Sequence, residues 1–397
     1  MRLLLATAGS RGDVEPFVAL ATAAVARGHE VLLVGPAGTA ALAAASAGVE
    51  VRELGVDYRR LLEEQGGSPL RAMRSFGRVV RPAMREVIVE SARIALEHAP
   101  DALVHHPKVL SAAMAASRVG AASVLAELVP TVTPTAAFPA AGTIPAGPGL
   151  LNRASYRLGG AAAAMFRREL GEAATLLGHP APAATAAALI PVSPTLLQRP
   201  GDWPASARLT GAWSAAGQAE RLDPELERFL QRGDVLAVGF GSMSSGDPLR
   251  RGAAFVEAAR ALGLRTLVIR GWGGADVPER LRGDDVLVVD AAPHATVLPR
   301  VLVAAHHGGA GTAHAAVRAG VPSVVMPFLA DQPFWAAALR RRGLAPAPLR
   351  RGAGARSIGA AVEQALRCGA RARVAAERMA REDGTGTALD VLESLSG

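Results

Sequence analysis

A chain of 397 residues, half of them hydrophobic and a fifth charged, is too long for one ordinary domain and too apolar to be disordered. Its net charge of +8 is nearly all arginine, because Lys108 is the one lysine, and only 4% of residues are aromatic. These numbers argue against a nucleic-acid partner, which would call for basic residues interleaved with stacking aromatics. The single cysteine, Cys368, excludes an intramolecular disulfide and any cysteine-cluster metal site.

The elements alternate along the chain. Arg2–Thr7 reads as a strand, Val14–Arg27 as a helix, Glu30–Val34 as a strand, Thr39–Ala47 as a helix and Val49–Leu54 as a strand. Between Tyr58 and Leu96 the composition shifts to an arginine-rich amphipathic helical pattern, a flap over a cleft in this reading. Strands resume at Ala102–His105 and Ala122–Leu125. The stretch Pro130–Pro148, with five prolines, is a loop with freedom to move, and Ala187–Val192 closes the first half. Pro200–Gly217 has linker composition. Strands follow at Asp234–Phe240, Arg265–Ile269, Val286–Val289, Val301–Ala305 and Ser323–Met326, with a helix at Arg251–Leu262. Arg371–Leu395 reads as paired terminal helices. The expected fold class is therefore α/β, with two doubly wound, parallel-sheet, Rossmann-like domains. Residues 1–205 form the first, 206–220 a linker, 221–370 the second, and 371–397 terminal helices that pack back on the first. No apolar run reaches bilayer length, and the opening apolar run is too short for a signal peptide, so a cytoplasmic location is expected.

In doubly wound sheets, ligands bind beyond the carboxyl ends of the strands. Gly9–Asp13, Gly241–Ser242, Gly271–Trp272, His306–Thr312 and Asp331–Gln332 each follow a strand, so two facing domains would gather them around one cleft. The stretch His306-His307-Gly308-Gly309-Ala310-Gly311-Thr312 is the strongest of these. A strand precedes it and a helix follows, Ala310 to Gly320, so free amides and the helix dipole favour an anion there. The dinucleotide G-x-G-x-x-G and the P-loop are missing, and neither D-x-D nor H-E-x-x-H occurs. A diphosphate would then be neutralised by backbone amides, the helix dipole and His307. The adjacent pair His105 and His106 has no visible third metal ligand; it is structural, lines a pocket or supplies a second base near an acceptor.

These stretches together resemble a family. Gly9-Ser10-Arg11-Gly12-Asp13-Val14-Glu15-Pro16, Gly239-Phe240-Gly241-Ser242-Met243, Arg270-Gly271-Trp272, Pro293-His294, His306 to Thr312, Ala319-Gly320-Val321-Pro322 and Asp331-Gln332-Pro333-Phe334-Trp335 run from end to end in one order. The chain resembles the family 1 glycosyltransferases of GT-B fold, in the actinobacterial natural-product branch that includes glycopeptide-antibiotic enzymes; sterol glycosyltransferases share the signature. The resemblance implies that the C-terminal domain binds a nucleotide sugar. His307, Gly309, Gly311 and Thr312 would hold the diphosphate with Ser242, Trp272 and His294 would lie on the base side, and Asp331 and Gln332 would bind the sugar hydroxyls. Asp13 would be the catalytic base that takes the acceptor proton, with Ser10, Arg11 and Gly12 near the diphosphate or acceptor. Each has a structural alternative: Asp13 and Asp331 as helix N-caps, Trp272 as a core aromatic. One departure stands out. After His294 the family often continues Asp-Trp-Leu-Phe, whereas here Ala295-Thr296-Val297-Leu298 keeps only the apolar spacing.

The expected activity is inverting, metal-independent transfer of a hexose or deoxyhexose from a UDP- or dTDP-sugar to a hydroxyl of a small apolar natural product. No cofactor is expected beyond that co-substrate. Tyr58–Leu96 and Pro130–Pro148 would shape the acceptor pocket. The alternatives are a sterol or lipid acceptor, a nucleotide-sugar epimerase or hydrolase, or a non-catalytic relative that only binds the sugar nucleotide. Membrane contact through the arginine-rich helices is open but not expected, and either a monomer or a homodimer fits.

Overall fold

The structure is a computed structural model that describes residues 1–58, 60–61, 76–214, 221–241, 246–271 and 273–395. Its contacts divide the chain into two units: Met1–Pro194, Gln198–Ala215 and Asp383–Gly397 in one, Thr195–Leu197 and Ala216–Glu382 in the other.

In the first unit Leu3, Leu4, Leu5 and Ala6 are all buried, which is possible only for a strand covered on both faces. That strand, β1 (Arg2–Ala6), is central to a sheet with β2 (Glu30–Gly35), β3 (Glu50–Glu53), β4 (Ala102–His105), β5 (Ala122–Ala126), β6 (Thr185–Ile190) and β7 (Ala207–Leu209). The order is β3-β2-β1-β4-β5-β6-β7 and the strands pair in parallel. Alternate residues of β1 feed two cores. Leu3 and Leu5 pack with Phe17 and Leu20 of the Arg11–Ala26 helix and with Leu389 and Leu392. Leu4 and Ala6 pack with Val87, Ile88 and Ala92 of the Arg81–His98 helix. Order reverses between β1 and β4, the switch point at which loops part and a ligand crevice opens.

The second unit repeats the plan with β8 (Val235–Gly239), β9 (Arg265–Ile269), β10 (Val286–Val289), β11 (Val303–His306) and β12 (Ser323–Val325), ordered β10-β9-β8-β11-β12 and parallel. Its switch point lies between β8 and β11. Phe240, Phe255 and Phe328 fill one face of this sheet; Leu267, Val297 and Leu298 belong to the core on the other. The departure after His294 leaves the helix intact over His294–Val297, because Val297 and Leu298 stay buried.

Four features differ from the sequence reading. Strand β7 lies inside the stretch read as linker, since three residues are too short for a periodic signal. The terminal helices part company: Gly369–Met379 belongs to the second unit and Gly384–Ser394 to the first. The latter lies on the Arg11–Ala26 helix, with Arg27 Nη1 donating to Asp390 Oδ1 at 2.6 Å and to Glu393 Oε2 at 3.3 Å. The loop Pro130–Pro148 is tied down rather than free. Glu127, fully buried, accepts from the amides of Thr131, Val132 and Thr133 at 2.8–3.2 Å. Asp202 accepts from Thr135 Oγ1 at 2.5 Å and the Ala136 amide at 2.8 Å. Finally, the latter half of the Tyr58–Leu96 stretch is a core helix instead of a flap, with Val87, Ile88 and Ala95 fully buried; positions 59 and 62–75 lie outside the described residues.

Candidate active site

Each unit carries polar groups at its switch point. In the first, the chain leaves β1 at Thr7-Ala8-Gly9 and enters a helix at Arg11. Gly9 sits at φ +143, and a Cβ there would lie 2.0 Å from Asp13 Oδ2 and 2.7 Å from Lys108 Nζ. Only glycine therefore lets the loop close over the carboxylate. Asp13, in the first helical turn, accepts from the Ser10 amide at 2.8 Å through Oδ2, with Ser10 Oγ 3.3 Å from the same oxygen. Ser10, not Asp13, is therefore the N-cap of this helix, and Asp13 at the third helical position closes a capping box by accepting from the N-cap amide. Asp13 does more, because β4 is the neighbour of β1 and its following loop delivers two further partners. His106 Nε2 is 3.4 Å, and Lys108 Nζ 3.2 Å, from Asp13 Oδ1. Lys108 N donates to His106 Nδ1 at 3.1 Å, which places the ring hydrogen of neutral His106 on Nε2, facing Asp13.

Electrostatics follow from that geometry. Burial alone would push the Asp13 carboxyl up, but the Lys108 charge, the His106 hydrogen bond and the Ser10 amide outweigh it and hold Asp13 well below the usual carboxylate range. Burial and the Lys108 charge push His106 down despite Asp13, so the ring is neutral. Ser10 is thus part of the site, whereas Arg11 is drawn into an exposed pair with Glu15 at 2.6 Å and Gly12 is exposed. His105 turns away, its Nε2 3.3 Å from Ser123 Oγ, with burial pushing it down to about 4.

In the second unit, β11 ends at His306, whose Nδ1 accepts from the Gly308 amide at 3.0 Å. Gly308 has φ +89, and a Cβ there would lie 2.7 Å from Val325 Cγ1. Gly309 is the N-cap of the Ala310–Arg318 helix, and a Cβ on it would meet His307 Nε2 at 2.5 Å. His307 therefore lies over the first turn, where helix geometry leaves amides unpaired. At Gly311 a Cβ would meet nothing within 4 Å, so this turn is open to an approaching ligand. Thr312 is half-buried in the same turn. Loops after β8 and β9 close the rim: a Cβ on Gly241 would lie 3.3 Å from His307 Cε1, and one on Gly271 2.5 Å from the Gly241 carbonyl oxygen. Burial and the nearby His294 push His307 down to about 4. The imidazole is neutral in the free protein and offers a hydrogen bond. Ser242 and Trp272 lie outside the described residues.

After β12, Ala330 adopts φ +54, strained for a residue with a Cβ, and delivers Asp331 to the start of the Gln332–Arg341 helix. Asp331 makes no capping hydrogen bond there; its Oδ2 accepts from the buried Trp335 Nε1 at 2.7 Å. The capping alternative fails for the Asp331 side chain. Gln332 is buried, and its Oε1 accepts from the Phe328 and Leu329 amides at 2.6 and 3.1 Å. Its carbonyl oxygen therefore holds the loop. Sequence reasoning gave no role to Lys108, visible only as the chain's one lysine, or to Trp335, quoted only within its motif; the structure sets them against Asp13 and Asp331. Among the described residues no group of three His, Cys, Asp or Glu is gathered for a metal, and no helix is long and apolar enough to cross a membrane.

Comparison with known proteins shows the family of the chain. Residues 3–131 match the glycosyltransferase family 28 N-terminal domain, and residues 275–389 match the erythromycin biosynthesis protein CIII-like C-terminal domain. O-mycaminosyltylonolide 6-deoxyallosyltransferase of Streptomyces fradiae is 35% identical over 99% of this chain and 97% of its own. Vancomycin aglycone glucosyltransferase of Amycolatopsis orientalis is 31% identical over 87% of this chain and 85% of its own. The crystal structure of the glycosyltransferase SsfS6 of Streptomyces sp. SF2575, complexed with thymidine diphosphate, shares the fold with a TM-score of 0.64. It is 20% identical and covers 99% of both chains.

Proposed function

This chain belongs to the family 1 glycosyltransferases of GT-B fold, in the actinobacterial natural-product branch, and from that premise we propose an inverting transfer with Asp13 as base. The donor is a UDP- or dTDP-activated hexose or deoxyhexose, and the acceptor a hydroxyl on a small apolar natural product such as a macrolide or glycopeptide aglycone. One observation carries the reading: an ionised Asp13 at the β1–β4 switch point, held by its own helix start and by the β4 loop. The acceptor oxygen attacks the anomeric carbon as its proton passes to Asp13, and the bond from that carbon to the diphosphate oxygen breaks. The second unit would bind the donor. The amides of Gly311 and Thr312, with the neutral His307, would take up charge on the departing diphosphate. Asp331 would accept from a sugar hydroxyl, and Ser242, Trp272 and His294 would complete the diphosphate and base contacts. No step calls for a metal ion, in keeping with a sequence that has no D-x-D pair. The deoxysugar named for the Streptomyces fradiae relative and the thymidine diphosphate in SsfS6 favour dTDP.

The test is a thermal-shift panel of dTDP, UDP, GDP and NAD, followed by transfer assays with the nucleotide that binds. At a hundred times its dissociation constant a ligand stabilises by about 2.7 kcal/mol. Stabilisation by dTDP or UDP but not NAD supports the donor site. Asp13→Asn should then leave that stabilisation intact while abolishing transfer. Wild-type turnover by Asp13→Asn would remove Asp13 as base, and a product of retained anomeric configuration would remove inversion.

A further inference from the structure

Asp13 has no room for an acceptor hydroxyl as it stands. A carboxylate offers about four lone-pair sites. Oδ2 faces the Ser10 amide at 2.8 Å and Ser10 Oγ at 3.3 Å, and Oδ1 faces Lys108 Nζ at 3.2 Å and His106 Nε2 at 3.4 Å. A hydroxyl can reach this carboxylate only if a donor leaves, and the four are not equally able to do so. The Ser10 amide is main chain at a helix start, and the Ser10 hydroxyl is tied to the same turn by the capping box it forms with Asp13. His106 is buried, and its ring is locked from behind by the Lys108 amide. Lys108 is different: its side chain is 43% exposed and its head sits at the end of a four-carbon stem.

We propose that Lys108 is a removable cap on Asp13 and His106 its fixed partner, so that both are positioning residues for the transfer base. The proposal rests on Asp13 being that base. Before the acceptor arrives, the ammonium keeps Asp13 ionised, holds it in one rotamer and denies Oδ1 to water. When the acceptor hydroxyl takes the place of the ammonium, Asp13 loses its strongest stabilising charge and gains basicity where the proton must go. The displaced head has a second seat beside it, for the Tyr58 ring centroid is 6.0 Å from Nζ. The loop is shaped for this arrangement, since a Cβ on Gly9 would collide with both Asp13 Oδ2 and Lys108 Nζ. His106 cannot act as the proton's destination. Its Nδ1 already accepts an amide hydrogen and its Nε2 carries its own. The proton therefore stays on Asp13 until solvent takes it, and the imidazole serves by holding Oδ1 still.

Two measurements on the full chain test this. Lys108 is the only lysine, so reductive methylation with carbon-13 formaldehyde gives one side-chain signal. That signal should stand apart from free dimethyl-lysine in the native protein and move to the free position in Asp13→Asn. A native signal already at the free position overturns the cap. The second measurement is hydrolysis of dTDP-glucose and UDP-glucose, with water as acceptor. Lys108→Met should release nucleotide about three- to tenfold faster than the native chain, because Asp13 is open to water, and Lys108→Arg should restore the slow rate. Hydrolysis no faster in Lys108→Met overturns the proposal. For His106, the Gln variant, which keeps an N–H at similar reach, should retain transfer that the Leu variant loses; equal loss in both refutes its part. Should native and variant chains bind neither dTDP nor UDP while the methyl signal still answers to Asp13→Asn, the ion pair stands and the transferase reading falls with the role of the cap.

Discussion

Trp335→Phe isolates the support of Asp331, the carboxylate proposed to bind the sugar. The substitution keeps an aromatic ring in a fully buried position but deletes the Nε1 hydrogen that Asp331 Oδ2 accepts at 2.7 Å. A hydrogen bond to an ionised acceptor contributes about 1.5–3 kcal/mol net. Asp331 is half-buried, so water replaces the indole and the lower figure applies. The volume lost around the smaller ring adds about 1–2 kcal/mol. Together these predict that the second unit is destabilised by about 3 kcal/mol, a fall of roughly 6–12 °C in its Tm. The informative effect is on ligands. Without the indole Asp331 is held less firmly, and the sugar must complete its immobilisation, at a cost of about 0.5–1.5 kcal/mol, which is roughly a two- to tenfold loss of affinity. Bare nucleoside diphosphate makes no use of Asp331 and should bind unchanged. Calorimetry with dTDP-glucose beside dTDP, or UDP-glucose beside UDP, reads the difference directly. Equal weakening for sugar-bearing and bare nucleotide would show that Trp335 acts through the neighbouring helix, and no weakening of either would refute Asp331 as a sugar ligand.

Gly9→Ala puts a Cβ at φ +143 against Asp13 Oδ2, so a loss of about 1–3 kcal/mol in the first unit is expected. Transfer should fall at least about tenfold because the carboxylate is displaced, with donor binding untouched; full turnover would contradict the placement of Asp13. Gly252→Ala would set a Cβ 1.9 Å from the Asp276 carbonyl oxygen, and chemical denaturation should show the second unit weakened by about 2 kcal/mol or more. The pH dependence of stability has a definite sign. His105, His307 and His314 are pushed down by burial to about 4, and His306 to about 3, whereas unfolded histidine titrates near 6.5. The unfolded chain therefore binds more protons than the folded one between those values. The stability these neutral rings contribute is complete above about pH 6.5 and is lost as pH falls toward 4, by about 1.4 kcal/mol per pH unit for each ring. Denaturant midpoints from pH 8 to pH 4.5 should fall accordingly, and His307→Gln should flatten the slope by one ring's share. A midpoint constant over that range would mean these rings are solvated.

Local sequence determined most of the architecture here. The apolar runs of β1, β8 and β9 were legible because a strand buried on both faces has no polar position to blur it. The strand-to-helix turn at His306–Thr312 was legible because glycine is demanded where backbone and ring approach, as at Gly308 and Gly309. What escaped was either too short for a period, as β7 was, or dependent on contacts between distant positions. Asp13 and Lys108 are 95 positions apart and meet only because β1 pairs with β4, a strand order that no local signal encodes. Asp331 carried two readings, sugar ligand and helix cap, and only the packed structure shows its side chain bound to Trp335. His307 read as a phosphate contact, and only its burial shows that the ring is neutral. Charge state and hydrogen-bond partner are set by the surroundings in three dimensions, because desolvation and Coulomb energies depend on distance in space and not along the chain.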